Sequence, residues 1–427
     1  MNQQSEITQL VDHLFRHEAG KLIAVMTRVF GVENLALAED VVQDSLIEAM
    51  NHWQYKGVPD NPSGWLFRVA RNKALNHLNK EKKNIYFSTD VAHFLQSRWT
   101  VEPALEHFFS EDEIQDDQLR MIFTCCHPSI NSDSQVALAL KTLCGFSIPE
   151  IAKAFITTEE NISKRLVRAR KSIRDANIPF EIPKGEGMEE RLDTVLETIY
   201  LLFNEGYSPS KGDDIIRYEL CEEAIRLAQM IATNKAIQQK ENVLALLALM
   251  FLNASRFKAR QDDEGNILTM AQQDRSKWDR SLKETGLDLL NKAAGSERIG
   301  FYHLLAAISA HHSIAPDFDS TNWPGILSLY DRLLYIDKSP LVLMNRAVAV
   351  LKVNGAEKAI AELEKIENIS SLRNYHLFYS TKAEFYIQAG KYSQAADCLR
   401  KSIGLSPLAA EKLLLQKKLD FCIKKIF

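Results

Sequence analysis

SQVALALKTLCGFSIPEIAKAFITTEENISKRLVRARKSIRDA, residues 134–176, has the pattern of three helices joined by two short turns. Apolar residues recur three and four apart over residues 135–144, and Gly145 ends this first helix. A short second helix is predicted over residues 149–155, and a longer third helix over residues 159–174. Residues 156–158 form the turn between them. This order of elements predicts a helix-turn-helix unit.

The predicted third helix separates an apolar face from a basic one. Its inward face, spaced i, i+4, i+7 and i+11, is formed by Ile162, Leu166, Ala169 and Ile173. A helix in the major groove reads base edges near its N-terminus, and its flanking cations hold phosphates. The candidate DNA-binding residues are therefore Thr158, Asn161, Lys164, Arg165, Arg168 and Lys171. The basic C-terminal half also has a stability explanation, because the helix dipole favours cations there.

A second basic helix is predicted upstream, in PDNPSGWLFRVARNKALNHLNKEKK, residues 59–83. Pro62 and Ser63 suit the start of a helix over residues 62–80. Cations track phosphates, Asn and Arg read base edges, and an aromatic ring stacks on an unpaired base. The mixture predicts contact with single-stranded or melting DNA through Trp65, Arg68, Arg71, Asn72, Lys73 and Asn76. The alternative is a solvated basic helix end with a core tryptophan.

An acidic helix precedes this basic one. In AEDVVQDSLIEAM, residues 38–50, helical spacing turns Val41, Leu46 and Ala49 toward a core. The opposite face predicts a partner surface formed by Glu39, Asp40, Gln43, Asp44 and Glu48. Acidic helix faces are more often merely solvated, and that reading stays open from composition alone.

Together these stretches resemble the two conserved domains of extracytoplasmic-function (ECF) sigma factors of bacterial RNA polymerase. AEDVVQDSLIEAM is similar to the family's polymerase-clamp helix, and GWLFRVARNKALNHLNK to its helix for the minus-ten element. GFSIPEIAKAFITTEENISKRLVRARKSIR is similar to its reader of the minus-thirty-five element. DDQLRMIFTCCHP, YLLFNEGY, QDRSKWDR and LYDRLL…SPLVLMNRAVAV resemble the subgroup with a long C-terminal tetratricopeptide-like domain.

The resemblance implies a fold, a function and partners. The fold is all-α, with two small helical sigma domains, the second a helix-turn-helix, followed by a large tetratricopeptide-like repeat domain. The implied function is promoter-specific transcription initiation, with core RNA polymerase and promoter DNA as partners. Residues 56–63 would form the loop that captures an unstacked base. Asn76, His77 and Asn79 stand where many relatives have an acid and arginines, so the minus-ten preference is not implied.

Four segments are predicted along the chain: a sigma domain over 1–83, a linker over 84–111, the helix-turn-helix domain over 112–178 and a C-terminal domain over 188–427. The breakers in NIPFEIPKGEG mark the last boundary. Residues 379–407 fit a helical-hairpin repeat of tetratricopeptide type, and residues 341–366 are a weaker copy with Gly355 near the place of Gly390. Such a domain predicts either a concave surface for a protein or small-molecule partner, or an array that packs only on itself. We expect it to modulate the sigma domains.

The composition places limits on class and compartment. The chain has 427 residues, a net charge of -4 and six cysteines without disulfide-framework spacing, which favours a reducing, cytoplasmic compartment. The N-terminus lacks a signal-peptide pattern, and the apolar run 243–252 is too short to span a bilayer, so no membrane partner is predicted.

Two other functions compete with the sigma factor. The first is a stand-alone helix-turn-helix regulator with a ligand- or protein-sensing helical domain. The second is an enzyme or metal protein built on Cys125, Cys126 and His127, with His311 and His312. Adjacent cysteines rarely chelate one zinc well, and no Walker loop, GxSxG or GxGxxG is present. The sequence therefore predicts no enzyme activity, no cofactor and no metal.

Overall fold

A computed structural model describes residues 18–80, 108–155, 157–183, 187–209, 215–235, 237–238, 240–295, 299–406 and 408–426. The chain divides into two compact units. The first comprises Met1–Leu202 with Thr233–Ile237, and the second comprises Phe203–Ala232 with Gln238–Phe427. Most of the predicted linker, residues 84–111, lies outside the described residues.

The first unit is built from short helices. Helix α1 covers residues 18–30. It is followed by α2 (Leu35–Lys56), α3 (Pro62–Lys80), α4 (Glu111–Cys125), α5 (Ser132–Thr142), α6 (Ile148–Ala154), α7 (Glu159–Asp175) and the first part of α8 (Gly187–Tyr207). The predicted helix 62–80 and the three helices of the helix-turn-helix are present, with bounds shifted by up to three residues.

Helix α1 lies at the centre of this unit, and most of its side chains are buried. Gly20 lets it approach the end of α5 closely, since a Cβ built at Gly20 would lie 2.1 Å from the carbonyl oxygen of Leu143. Helix α5 is buried over almost its whole length. The helix-turn-helix and the segment that resembles the polymerase-binding domain are therefore packed together.

The second unit begins in the last turns of α8. It continues with α9 (Tyr218–Thr233), α10 (Glu241–Ala254), α11 (Arg280–Ala293), α12 (Phe301–Ile314), α13 (Trp323–Ile336), α14 (Pro340–Asn354), α15 (Ala356–Ile366), α16 (His376–Gln388), α17 (Tyr392–Leu405) and α18 (Ala409–Ile426). Helix α10 is the core helix, packed by α11 and α12. Among the described residues, one stretch, Glu241–Ala259, is long and apolar enough to cross a membrane, and 67% of its most apolar window is buried inside the protein.

Helical hairpins fill the C-terminal part of this unit. Helices α14 and α15 form one pair, and α16 and α17 form another, which packs in turn on α18. Gly355 and Gly390 occupy the two turns with φ of 89° and 72°, a conformation that L side chains rarely adopt. The two glycines hold equivalent places in successive hairpins, as the weak sequence repeat predicts.

The loop between α10 and α11 is fastened at its base. Arg275 donates to the carbonyl oxygens of His312 and Ala315, the latter at 2.8 Å. Gln273 accepts from Arg256 and donates to the carbonyl of Leu268. The motif QDRSKWDR therefore anchors this loop. The loop's tip, residues 262–266, is a tight turn closed by an antiparallel bridge between Gln261 and Ile267.

β Structure in the described part of the chain is limited to that isolated bridge. The predicted all-α class is confirmed.

Candidate nucleic-acid and partner interface

Helix α7 carries the predicted DNA-binding face. Thr158 caps its start, with the side-chain oxygen accepting from the backbone N–H of Asn161 at 3.2 Å. Glu159 and Glu160 occupy the first turn, where the helix dipole favours acids. The four residues predicted to face inward are all buried: Ile162, Leu166, Ala169 and Ile173. Local sequence thus fixes both the start of this helix and its orientation.

The polar face of α7 borders a cleft of about 640 Å³ against the N-terminus of α5. Four of the predicted DNA-binding residues line it: Asn161, Arg165, Arg168 and Lys171. Arg165 is half-buried and pairs with Asp133 across the cleft at 3.3 Å. Lys164 lies outside the cleft and pairs with Glu160 at 2.7 Å. The structure therefore gathers four cationic or amide side chains on one accessible surface.

Helix α3 presents the second predicted nucleic-acid face. Arg68, Asn72 and Asn76 are all exposed, as their spacing of four residues predicts, and Arg71 is half-buried. Asn61 accepts from the backbone N–H of Gly64 at 2.8 Å and fixes the start of the helix just before Pro62. The side chains of Arg68, Asn72 and Asn76 carry hydrogen-bond donors that are open to solvent.

Trp65 is half-buried at the base of α3. Its ring stacks on His52 with centroids 5.3 Å apart and meets Trp53 edge-on at 5.5 Å. Trp53 itself is buried. Trp65 therefore belongs partly to the contact between α2 and α3, and the loop that joins these two helices covers residues 57–61.

Helix α2 exposes most of the predicted partner surface. Asp40, Gln43, Asp44 and Glu48 are all solvent-accessible. Ile47 is 47% exposed and Met50 is 53% exposed on the same helix. Glu48 pairs with Lys73 of α3 at 2.9 Å, so one predicted polymerase-binding residue contacts one predicted DNA-binding residue. The exposed face of α2 therefore combines carboxylates with apolar side chains.

Glu39 departs from the predicted orientation. It is buried and forms an ion pair with Arg170 of α7. Burial raises the pKa of Glu39, and the attraction of Arg170 and Lys141 only partly offsets it. The prediction that Glu39 faces solvent is wrong because α2 is covered on a second side by the helix-turn-helix, which the pattern of one helix does not reveal. Leu46, predicted to face the core, is only half-buried.

A second cluster of charges joins α1 to α4. Arg28 pairs with Glu113, and one of its nitrogens lies 3.5 Å from Asp117. Asp117 also pairs with Arg120, and its second carboxylate oxygen is buried without a hydrogen-bond partner among the described residues. Burial raises the pKa of Asp117 to about 7 against the attraction of both arginines. Sequence reasoning missed this cluster, whose members lie about 85 residues apart.

The adjacent cysteines are packing residues in this structure. The sulfur of Cys125 lies 3.1 Å from the hydroxyl of Thr142, and burial raises its pKa far above the ordinary value. Burial likewise raises the pKa of Cys126 to about 12, opposed by a hydrogen bond with Thr198. Neutral thiols are poor metal ligands. No group of three His, Cys, Asp or Glu side chains in the described part of the chain is arranged to hold a metal.

Comparison with known proteins gives two family matches within the chain. Residues 14–84 match the model for Sigma-70 region 2, and residues 191–294 match a family of unknown function, DUF6596. The uncharacterized protein R00370 of Rhizobium meliloti (strain 1021) is 33% identical over 387 residues, which cover 91% of this chain and 90% of that protein.

Shorter matches cover the N-terminal part. The ECF RNA polymerase sigma factor SigL of Mycobacterium tuberculosis is 26% identical over 167 residues, 39% of this chain and 87% of that protein. The ECF RNA polymerase sigma factor SigM of Bacillus subtilis (strain 168) is 26% identical over 139 residues, 32% of this chain and 78% of that protein. No solved structure is significantly similar. The Sigma-70 region 2 match and these two sigma factors identify the chain as an ECF-type sigma factor with an additional C-terminal region, and it shares a family with R00370 over nearly its whole length.

Proposed function

We propose that this chain binds core RNA polymerase through α2 and directs it to a small set of promoters. The exposed strip on α2 carries the proposal. Asp40, Gln43 and Asp44 are accessible at i, i+3 and i+4, and Ile47 and Met50 add apolar surface beside them. Glu39 is excluded from this docking surface as long as its ion pair with Arg170 is intact. The chain has a regulatory rather than a catalytic role and acts in the cytoplasm.

Promoter DNA is assigned to two separate surfaces. Helix α7 would hold the minus-thirty-five region through Asn161, Arg165 and Arg168, which border the cleft against α5. The exposed face of α3 would hold the melted minus-ten strand. Stacking and phosphate contacts there would offset the cost of unpairing.

The contacts between the sigma segments are partly electrostatic. They use charged pairs, Arg170 with Glu39 and Arg28 with Asp117, beside the close approach at Gly20. Buried ion pairs contribute little net stability, because desolvation offsets their attraction. These contacts therefore hold the sigma segments together without adding much net stability.

The C-terminal region is proposed to modulate the sigma segments. A truncation after residue 183 is a poor test of this role, since α8 contributes to the first unit. Arg191 donates to the carbonyl of Phe123 at 2.6 Å, and Thr198 bonds to Gln135 at 3.1 Å. Removal of these residues would disturb the helix-turn-helix directly, so point changes within the second unit are the better perturbation.

Co-elution of the full chain with sigma-free core polymerase, followed by run-off transcription from genomic fragments, tests the proposal. Asp44→Arg should abolish the complex while circular dichroism stays unchanged. Glu197→Arg is the matched control, an exposed acid of the same unit outside α2, and should bind normally. If the wild-type chain binds DNA sites but never polymerase, while a control sigma factor does, the stand-alone regulator is correct instead.

A further inference from the structure

The second unit contains a cavity of about 530 Å³. Its walls come from α13, α14, α16 and α18, and the anchored loop contributes Ile267, Thr269, Met270 and Ala271. Cavities of roughly 300–1,000 Å³ are typical of small-molecule sites. Arg275 and Gln273 fasten the base of this loop. The side of the cavity that the loop forms is therefore held in place.

One side of the cavity is aromatic. Trp323 meets Phe318 and His312 edge-on, each with ring centroids 5.3 Å apart, and Tyr330 lies on the same helix. These rings line the cavity together with Val348. A ligand with an aromatic or branched apolar group would bury apolar surface there, and an aromatic group would also gain edge-to-face contacts.

Two carboxylates and two ammonium groups line the cavity, and they are paired unequally. Glu384 pairs with Lys418 at 2.6 Å, and Glu411 pairs with His376 at 2.8 Å, so both carboxylates have cationic or hydrogen-bonding partners. The ammonium of Lys352 lies 4.6 Å from the ring centre of Phe318. Among the described residues no carboxylate forms a direct ion pair with it, but Lys352 and Glu384 attract each other at longer range. Lys352 is therefore the lining ammonium without a direct ion pair, and it lies beside the aromatic wall.

His312 adds a directional polar group. Burial lowers its pKa to about 4, and the neighbouring Arg256 and Arg275 add to the effect, so the ring is neutral at physiological pH. Its Nδ1 is buried and has no hydrogen-bond partner in the described part of the chain. Arg275 is directed to backbone carbonyls instead of the cavity. With a single ammonium outside a direct ion pair, a monoanion fits better than a phosphate.

We propose that this cavity binds a small organic monocarboxylate with an aromatic or branched apolar body, the body against Trp323 and Phe318 and the carboxylate on Lys352. Binding requires only the second unit's cavity and is independent of polymerase binding. Such a ligand would give the C-terminal region a chemical signal to transmit.

Isothermal titration of the full chain with 2-naphthoate and its neutral analogue 2-naphthamide tests the proposal. We expect one saturable naphthoate site and binding of the amide weaker by about tenfold, a typical loss for one charged contact. Lys352→Met should weaken naphthoate by a similar factor and leave the amide unchanged, while Lys352→Arg should retain the preference. Trp323→Leu should weaken both probes.

Lys401→Met is the matched control. Its ammonium lies 4.1 Å from the ring centre of Tyr379, a contact like that of Lys352, but it lies outside the cavity. This variant should bind naphthoate like the wild type. The proposal would be overturned by equal affinity for the acid and the amide, or by an equal loss of naphthoate affinity in Lys352→Met and Lys401→Met. It would also be overturned if naphthoate showed no saturable binding up to about 5 mM.

Discussion

Asp117→Asn should remove the pH dependence of the free energy of local unfolding of α4. The pKa of Asp117 is raised by burial from 3.8 to about 7, so the folded chain holds this proton more tightly than the unfolded chain does. The stabilising contribution is complete below pH 3.8 and is lost as the pH rises through about 7. At 1.36 kcal/mol per pKa unit, the loss between pH 5 and pH 8 is about 2–3 kcal/mol.

Amide hydrogen exchange of peptides from Glu111–Cys125, corrected for the intrinsic pH dependence of exchange, measures this local opening free energy. The Asn side chain resembles the protonated acid, so both proteins should be similarly protected at pH 5. At pH 8 the wild type should be less protected by about 2–3 kcal/mol. Asp116→Asn, at the less buried neighbouring acid, should preserve the wild-type dependence. A constant difference between wild type and Asp117→Asn at all pH values would refute the reasoning.

Three further changes test other contacts. Arg165→Ala should weaken binding to a promoter fragment by about 1–3 kcal/mol in fluorescence anisotropy, and unchanged affinity would remove Arg165 from the DNA surface. Arg170→Met should lower the free energy of unfolding of the first unit by about 3–5 kcal/mol, because Glu39 remains buried without its partner. Combined with Glu39→Gln, the loss in urea unfolding should be smaller than the sum of the single losses; strict additivity would mean that the pair is not coupled. Gly20→Ala should lower the melting temperature, since its Cβ would overlap the carbonyl of Leu143 by more than an ångström and overpacking costs about 1–3 kcal/mol. Gly404→Ala, in a helix with open space around it, should leave the melting temperature unchanged or raise it.

Local patterns in the sequence were enough to predict the helices and the orientation of α7. The spacing of Ile162, Leu166, Ala169 and Ile173 identifies a single buried stripe, and α7 has one such stripe. Helix α2 is different, because it is covered both by α3 and by the helix-turn-helix. Its buried side is therefore wider than one stripe and includes Glu39, which periodicity alone assigns to solvent.

The cavity of the second unit could not be predicted for another reason. His312, Trp323, Lys352 and Glu384 each fit an ordinary helix pattern, and only His312 had been considered in the sequence, as a candidate metal ligand beside His311. Their proximity depends on the packing of successive hairpins and on the course of one loop. The motif QDRSKWDR was visible in the sequence, but its role in anchoring that loop depends on backbone carbonyls, which carry no sequence signature.

The loop between α10 and α11 is fixed at its base by Arg275 and Gln273, while its tip at Asp263, Glu264 and Gly265 is exposed. A chain can be lengthened, cut or given new termini at an exposed tip without disturbing the buried contacts on either side. A fluorophore or an affinity tag inserted between Glu264 and Gly265 would therefore sit beside the cavity wall without replacing any residue that forms it. The protein thus offers a natural position for a reporter of ligand occupancy.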